Sequence, residues 1–293
     1  MGGSVQRSTT VARLGSGAVE YRLERRGDTV VVVLHGGHLR AGLVWDETVF
    51  ADADITVLAP SRPGYGRTPL STGTTRAGFA DVTAELCRHL GIDKVAAVLG
   101  ISAGGPTAMT VAARHPDLVE RLILQCPQGP RWPGRRDRLL ANLIFSPVAE
   151  RLTWSGLRWL LRRAPDAGLR MLLGGLSTVP PRQLLADVRP EHRATLIALF
   201  SAMRSGTGFR QDLRPYVDVT AEIGQPTLVI ASRHDGAVSF DDAEHLASAI
   251  RRAVLVESRS DSHFLELGVD WPAISEAIRV FLATEPRDLA GRG

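Results

Sequence analysis

Short apolar runs alternate with amphipathic stretches along the first half of the chain, and the two periods predict two kinds of element. Val30–Leu34 is five aliphatic residues in a row. It is too short for a helix and rich in β-branched side chains, so it reads as a buried strand. Further strands are predicted at Val19–Arg25, Ile55–Ala59, Val95–Leu99 and Arg121–Gln125. Helical spacing falls at Thr74–Leu90 and Ala103–Arg114, the latter ending ahead of Pro116. Strands that alternate with helices predict an α/β fold, a mostly parallel sheet wrapped by helices.

After Cys126 the pattern changes. From about Pro130 to Val219 no strand period is visible, and Leu139, Leu140, Leu143, Ile144, Val148 and Leu152 recur at helical spacing. Prolines at 147, 165, 180, 181, 190 and 215 divide the stretch into short helices. Strand signals return at Thr227–Ala231 and Ala253–Glu257, with helices at Asp241–Arg251 and Trp271–Ala283. The expected organisation is a core from 1–129 and 220–293, interrupted by a helical insertion over 130–219. No internal repeat is present, and the tail from about Thr284 is expected to fray.

Composition narrows the class. At 293 residues with 44% hydrophobic residues, the chain can form one large α/β domain or such a domain with an inserted part. Its longest apolar strings are far too short to span a bilayer. The first residues, Met1 to Gln6, lack an apolar signal region, and Gln6 stands where a myristoylation pattern needs Ser or Thr. A cytoplasmic location is the expectation. Cys87 and Cys126 read as small core residues without a disulfide. No Cys/His cluster has zinc spacing, so neither metal nor cofactor is expected. The net charge of +4 is carried almost wholly by arginine, with Lys94 the only lysine. No basic helix with interleaved aromatics is present, so nucleic acid is not an expected partner.

The candidate chemistry centres on Gly100-Ile101-Ser102-Ala103-Gly104. The motif G-x-S-x-G lies between a predicted strand and a predicted helix, the context that a nucleophile elbow needs. The sharp turn strains the serine backbone and tolerates only small neighbours. The following helix aims its amides at the place where an oxyanion would form. A serine hydroxyl also needs a base, and the base an orienting acid. Asp235 follows the strand Thr227–Ala231, where α/β sites form. His263 lies between the last core strand and the C-terminal helix. Asp241 and Asp242 read as helix-start residues, and His115 as structural. His35-Gly36-Gly37 follows Val30–Leu34. With the amide of Ala103, that of Gly37 is the candidate oxyanion donor.

Taken together, these stations resemble the α/β-hydrolase superfamily over nearly the whole chain. They are His35-Gly36-Gly37, Arg62-Pro63-Gly64-Tyr65-Gly66-Arg67-Thr68, Gly100–Gly105, His115-Pro116, Pro226–Ser239 and Ser262-His263-Phe264. The resemblance implies an eight-stranded, mostly parallel sheet, with the helical insertion as a cap over the site. It also implies Ser102 as nucleophile, His263 as base, Asp235 as acid, and Gly37 and Ala103 as oxyanion donors. Serine at the elbow argues against haloalkane dehalogenases and epoxide hydrolases, which resemble this chain but use aspartate there. Arginines at 131, 135, 136, 138, 151, 158, 162, 163 and 170 argue against an aminopeptidase cap, which uses acids to hold an ammonium group.

The expected reaction is hydrolysis of a carboxylic ester, thioester or lactone through an acyl-enzyme. The same triad also suits C–C bond hydrolysis, perhydrolysis, a biosynthetic cyclisation or elimination, or a receptor that only binds its ligand. His38, Trp45, Trp154 and Trp159 are the candidate substrate contacts, with Trp132 in the same block. They suit a small molecule with an apolar acyl or aromatic group. Monomer and homodimer are both compatible with the sequence.

Overall fold

The aliphatic runs do become a sheet. The computed structural model describes residues 5–130, 134–146, 148–215 and 217–284. Eight strands form one sheet: β1 (Thr10–Leu14), β2 (Gly17–Glu24), β3 (Val30–Leu34), β4 (Thr56–Pro60), β5 (Ala97–Ile101), β6 (Leu122–Gln125), β7 (Thr227–Ser232) and β8 (Ala253–Ser258). Their order is β1-β2-β4-β3-β5-β6-β7-β8. The β1–β2 and β2–β4 pairs are antiparallel, and the rest are parallel. The sequence missed β1, a half-exposed edge strand with one partner and a weak apolar alternation.

Alternate strand residues feed two cores. Val32, Leu34, Val98, Leu124 and Val229 pack beneath α2 (Arg76–His89) and α3 (Gly105–Arg114), together with α10 (Phe240–Ala249). Val31, Val33, Leu99, Ile123 and Ile230 pack on the other face, against α1 (Thr48–Ala51) and α11 (Trp271–Ala283). Strands buried on both faces explain why their sequences read as continuous apolar runs. Helix α11 has the predicted bounds. Helix α10 begins one residue early, behind Ser239, whose Oγ accepts the N–H of Asp241. Asp241 and Asp242 lie in its first turn.

Between β6 and β7 run α4 (Arg135–Ile144), α5 (Ala149–Arg163), α6 (Pro165–Leu173), α7 (Pro181–Asp187), α8 (Pro190–Ala202) and α9 (Gly208–Asp212). Prolines begin α6, α7 and α8, where a missing N–H costs nothing. Trp154, Leu157, Leu161, Leu169, Leu173, Leu196, Leu199 and Phe200 give this insertion its own core, which extends to Leu43 and Phe264 of the sheet loops. A buried ion pair joins it to the sheet. Asp212 accepts from Arg62 Nη1 at 2.5 Å, Arg62 Nη2 at 2.8 Å and Tyr65 Oη at 2.6 Å. Arg131, Trp132, Pro147, residues 1–4 and the tail from 285 lie outside the described residues.

Candidate active site

Ser102 stands at the C-terminal end of β5 with φ of 51°, a left-handed conformation that a serine adopts only under constraint. The constraint is visible in its neighbours. A Cβ on Gly100 would fall 2.6 Å from that of Ala108, and one on Gly104 would fall 2.1 Å from the Leu34 carbonyl oxygen. Glycine at 104 therefore lets the elbow press against the end of β3. That contact brings the His35-Gly36-Gly37 loop beside the serine: a Cβ on Gly36 would lie 3.3 Å from Ser102 Cβ. One 3₁₀ turn, Ser102–Gly104, then leads into α3. Ala103 is thus the first residue after the serine on the amide-rich end of that helix.

The loop is fixed by the side chain of its own first residue, His35. His35 is buried, its Nδ1–H donates to Gly36 O at 2.8 Å, and its Nε2 accepts the N–H of Arg62 at 3.0 Å. Burial, then the nearby Arg62 charge, holds its pKa well below the ordinary value, so the ring stays neutral.

Asp235 and His263 meet, as their loop positions imply. His263 Nδ1 lies 2.6 Å from Asp235 Oδ2, with side chains 12% and 2% exposed. Asp235 Oδ1 accepts the N–H groups of Ala237 and Val238 at 2.7 and 2.9 Å. The aspartate therefore serves as turn residue and histidine partner at once. Burial lowers the His263 pKa, but the charge and hydrogen bond of Asp235 overcome it, and the imidazole ends above its ordinary value. Ser102 Oγ makes no hydrogen bond among the described residues, so the serine-to-imidazole link is open in this arrangement.

Part of the insertion threads between these loops. His263 N–H donates to Leu176 O, and Thr178 N–H to His234 O. Ser177 bridges Asp235 in antiparallel fashion, and its hydroxyl donates to the carbonyl of Asp261.

Two further residues lie near His263: Cys126, read from the sequence only as a core residue, and Glu266, which that reading passed over. Cys126, at the end of β6 with φ of 44°, has its sulfur 3.6 Å from His263 O. Ligand atoms of Cys126, Asp235 and His263 lie within 4.8 Å of one another. Burial first, then the charges of Asp235 and Glu266, pushes the thiol pKa well above its usual value. A thiol held protonated is a poor metal ligand. Glu266 accepts from Gln125 Nε2 at 2.7 Å, and burial pushes its carboxyl up to about 7. Its signal in the sequence is only its place three residues after His263.

The aromatic candidates divide. His38, with φ of 64°, lies 4.0 Å from Phe209, 4.8 Å from Phe145 and 5.3 Å from Trp154, measured between ring centroids. His38 Nδ1 and Trp154 Nε1 each lie 2.9 Å from Ser205 Oγ. Phe209 closes this group over Gly37, 3.1 Å from where its Cβ would be. Trp45 stands in a second group, 5.4 Å from Phe264. Trp159 joins neither. It is 56% exposed on α5, whereas Trp154 is buried beside His38. Cys87 and Cys126 are both free and buried.

A sheet of this order, with a strained serine at the end of β5 and an Asp–His pair after β7 and β8, defines an alpha/beta hydrolase. The chain belongs to that family: residues 29–265 match the alpha/beta hydrolase fold. It is 30% identical over 270 residues to the uncharacterized hydrolase YcgS of Bacillus subtilis, covering 90% of this chain and 94% of that one. It is 39% identical over 242 residues to a pimeloyl-[acyl-carrier protein] methyl ester esterase of Aromatoleum aromaticum, covering 80% and 90%. An alpha/beta hydrolase fold protein from Nakamurella multipartita superposes with a TM-score of 0.78 at 24% identity, over 94% and 99% of the two chains. The chain is an alpha/beta hydrolase. Among the described residues, no helix is long and apolar enough to cross a membrane.

Proposed function

We propose that this hydrolase cleaves carboxylic esters by a two-step acyl transfer at Ser102. The observation that carries the reading is the strained Ser102 on the same sheet edge as the 2.6 Å His263–Asp235 pair. His263 Nε2 takes the hydroxyl proton as Oγ attacks the ester carbonyl. Asp235 holds Nδ1–H and stabilises the imidazolium. The tetrahedral oxyanion is received by the amides of Gly37 and Ala103, the second aided by the N-terminal end of α3. His263 returns the proton to the leaving alcohol, and water, activated by the same imidazole, releases the acid from the acyl-enzyme.

The insertion serves as the cap, and the aromatic groups around His38 and Trp45 favour an apolar acyl or aromatic substrate. The esterase name of one relative agrees with this reading. The test is a panel of short-chain nitrophenyl esters with wild type and Ser102→Ala, paired with a fluorophosphonate probe. Ester turnover in the wild type should fall by at least about 10³-fold in the variant, with loss of labelling. Turnover that survives the substitution would sink the proposal.

A further inference from the structure

The outer side of α5 carries an apolar stripe that no part of the described structure covers. Val148 and Leu152 are 77% and 71% exposed, and Trp159 is 56% exposed. Their spacing of four and seven residues puts them on one side of a helix with 3.6 residues per turn. Trp154, Leu157 and Leu161 occupy the opposite side and build the core of the insertion. Helix α5 is therefore apolar on two sides, and only one has a partner among the described residues. Helix α4, which packs on α5, adds Leu139 and Leu143, 74% and 70% exposed.

The surroundings of the stripe are cationic. Arg151 and Arg162 stand exposed along one side of it, and Arg163 at its C-terminal end. The single acid of α5, Glu150, is half-buried and accepts the Ser205 N–H at 3.0 Å. A cavity of about 380 Å³ beside α4 adds Arg138, Arg210 and Arg214 to its lining. We propose that this face docks onto an anionic lipid surface, with the leucines, Val148 and Trp159 entering the headgroup boundary and the arginines meeting lipid phosphates.

Three observations favour that occupant. The apolar side chains project from convex helices, which suits a fluid interface. A tryptophan among leucines and arginines is the composition of an interfacial helix. A second copy of the chain would bring the same arginines against themselves, because a two-fold contact pairs a patch with itself. The proposal does not depend on the chemistry at Ser102.

The test is cosedimentation with phosphatidylcholine vesicles and with vesicles containing phosphatidylglycerol, at low and high salt. Wild type should bind the anionic vesicles at least about tenfold more tightly, and salt should weaken the binding. Leu143→Glu/Leu152→Glu and Arg151→Glu/Arg162→Glu should each lose about tenfold, with circular dichroism unchanged. Trp159→Phe keeps the stripe apolar, and should remove most of the blue shift that vesicles induce in tryptophan emission. No binding to anionic vesicles, equal binding to both kinds, or binding untouched by both double variants overturns the proposal. So does a wild-type dimer that Leu143→Glu/Leu152→Glu splits, because a second copy is then the occupant.

Discussion

His263 donates its backbone N–H to the carbonyl of Leu176, 2.7 Å away. The candidate base is therefore held by the helical insertion as well as by the sheet. Thr178 does the same for the loop of the acid, through His234 O at 2.9 Å. The segment between them passes so close to Gly236 that a Cβ there would lie 2.6 Å from Ser177 N. Gly236→Ala must displace either the strap or the Asp235 turn. Shifts of about 1 Å at reacting groups cost up to about 100-fold. We expect kcat to fall by about 10- to 100-fold while thermal unfolding changes little. Unchanged kcat would show that the strap does not position the pair.

The His263 imidazole is raised above its ordinary value by Asp235, against the lowering effect of burial. A base must be neutral to accept a proton, so kcat/KM should rise with pH through a midpoint above 6.5. In Asp235→Asn the charge is gone and burial prevails. The acid limb should move to lower pH, and kcat should drop by about 10⁴-fold. The same pair stabilises the fold below pH 6.5, and that contribution is lost as pH rises through the higher folded value. A rate profile over roughly pH 5 to 9 reads the first effect, and unfolding midpoints over the same range read the second.

Glu266 supplies a further ionisation. Its folded pKa of about 7 lies above the ordinary 4.5, so between these values the folded chain binds the proton more tightly than the unfolded chain. Stability contributed by this group is present below pH 4.5 and declines as pH rises towards 7. Glu266→Gln keeps an acceptor for Gln125 and removes that slope, so the variant should gain on wild type with rising pH. Because the Glu266 charge supports the imidazolium, the acid limb of the rate profile should also shift down, by less than in Asp235→Asn. A parallel stability curve in both proteins would contradict this assignment.

Arg62 and Asp212 are 4% and 5% exposed. Asp212→Ala leaves a guanidinium and a tyrosine hydroxyl buried without their shared acceptor. Removing one partner of such a pair costs about 3–5 kcal/mol. Urea unfolding should show a loss of that size. A loss below about 1 kcal/mol would mean that the pair is solvated in solution.

Much of this was legible because different physical signals agreed. β3 reads directly from its β-branched run, and α11 from its apolar period. The Ser102 elbow reads from small residues that the close contacts at Gly100 and Gly104 require. Asp235 and His263 read from chain order and from their positions after strands. The rest depended on contacts between distant segments. Nothing local says that Asp212 will meet Arg62, that Ser205 will join His38 to Trp154, or that Leu176 will hold His263. That Trp154 is buried and Trp159 exposed was not legible either, because a helix with two apolar sides does not reveal which side faces inward. Cys126 and Glu266 acquire their character only from burial beside the Asp–His pair.

The sheet order has a consequence for how such a chain can diversify. β6 and β7 are neighbours and parallel, so the chain must in any case travel from the C-terminal end of one to the N-terminal end of the other. The whole helical insertion is an enlargement of that compulsory return path. Its residues leave the sheet at the C-terminal edge of the parallel strands, the edge that Ser102, Asp235 and His263 also follow. Insertions, deletions and exchanges along the path would remodel what lies over that edge while every strand register stays as it is. The return path can thus vary independently of the frame, provided that the Asp212 anchor and the Leu176–Thr178 strap are kept.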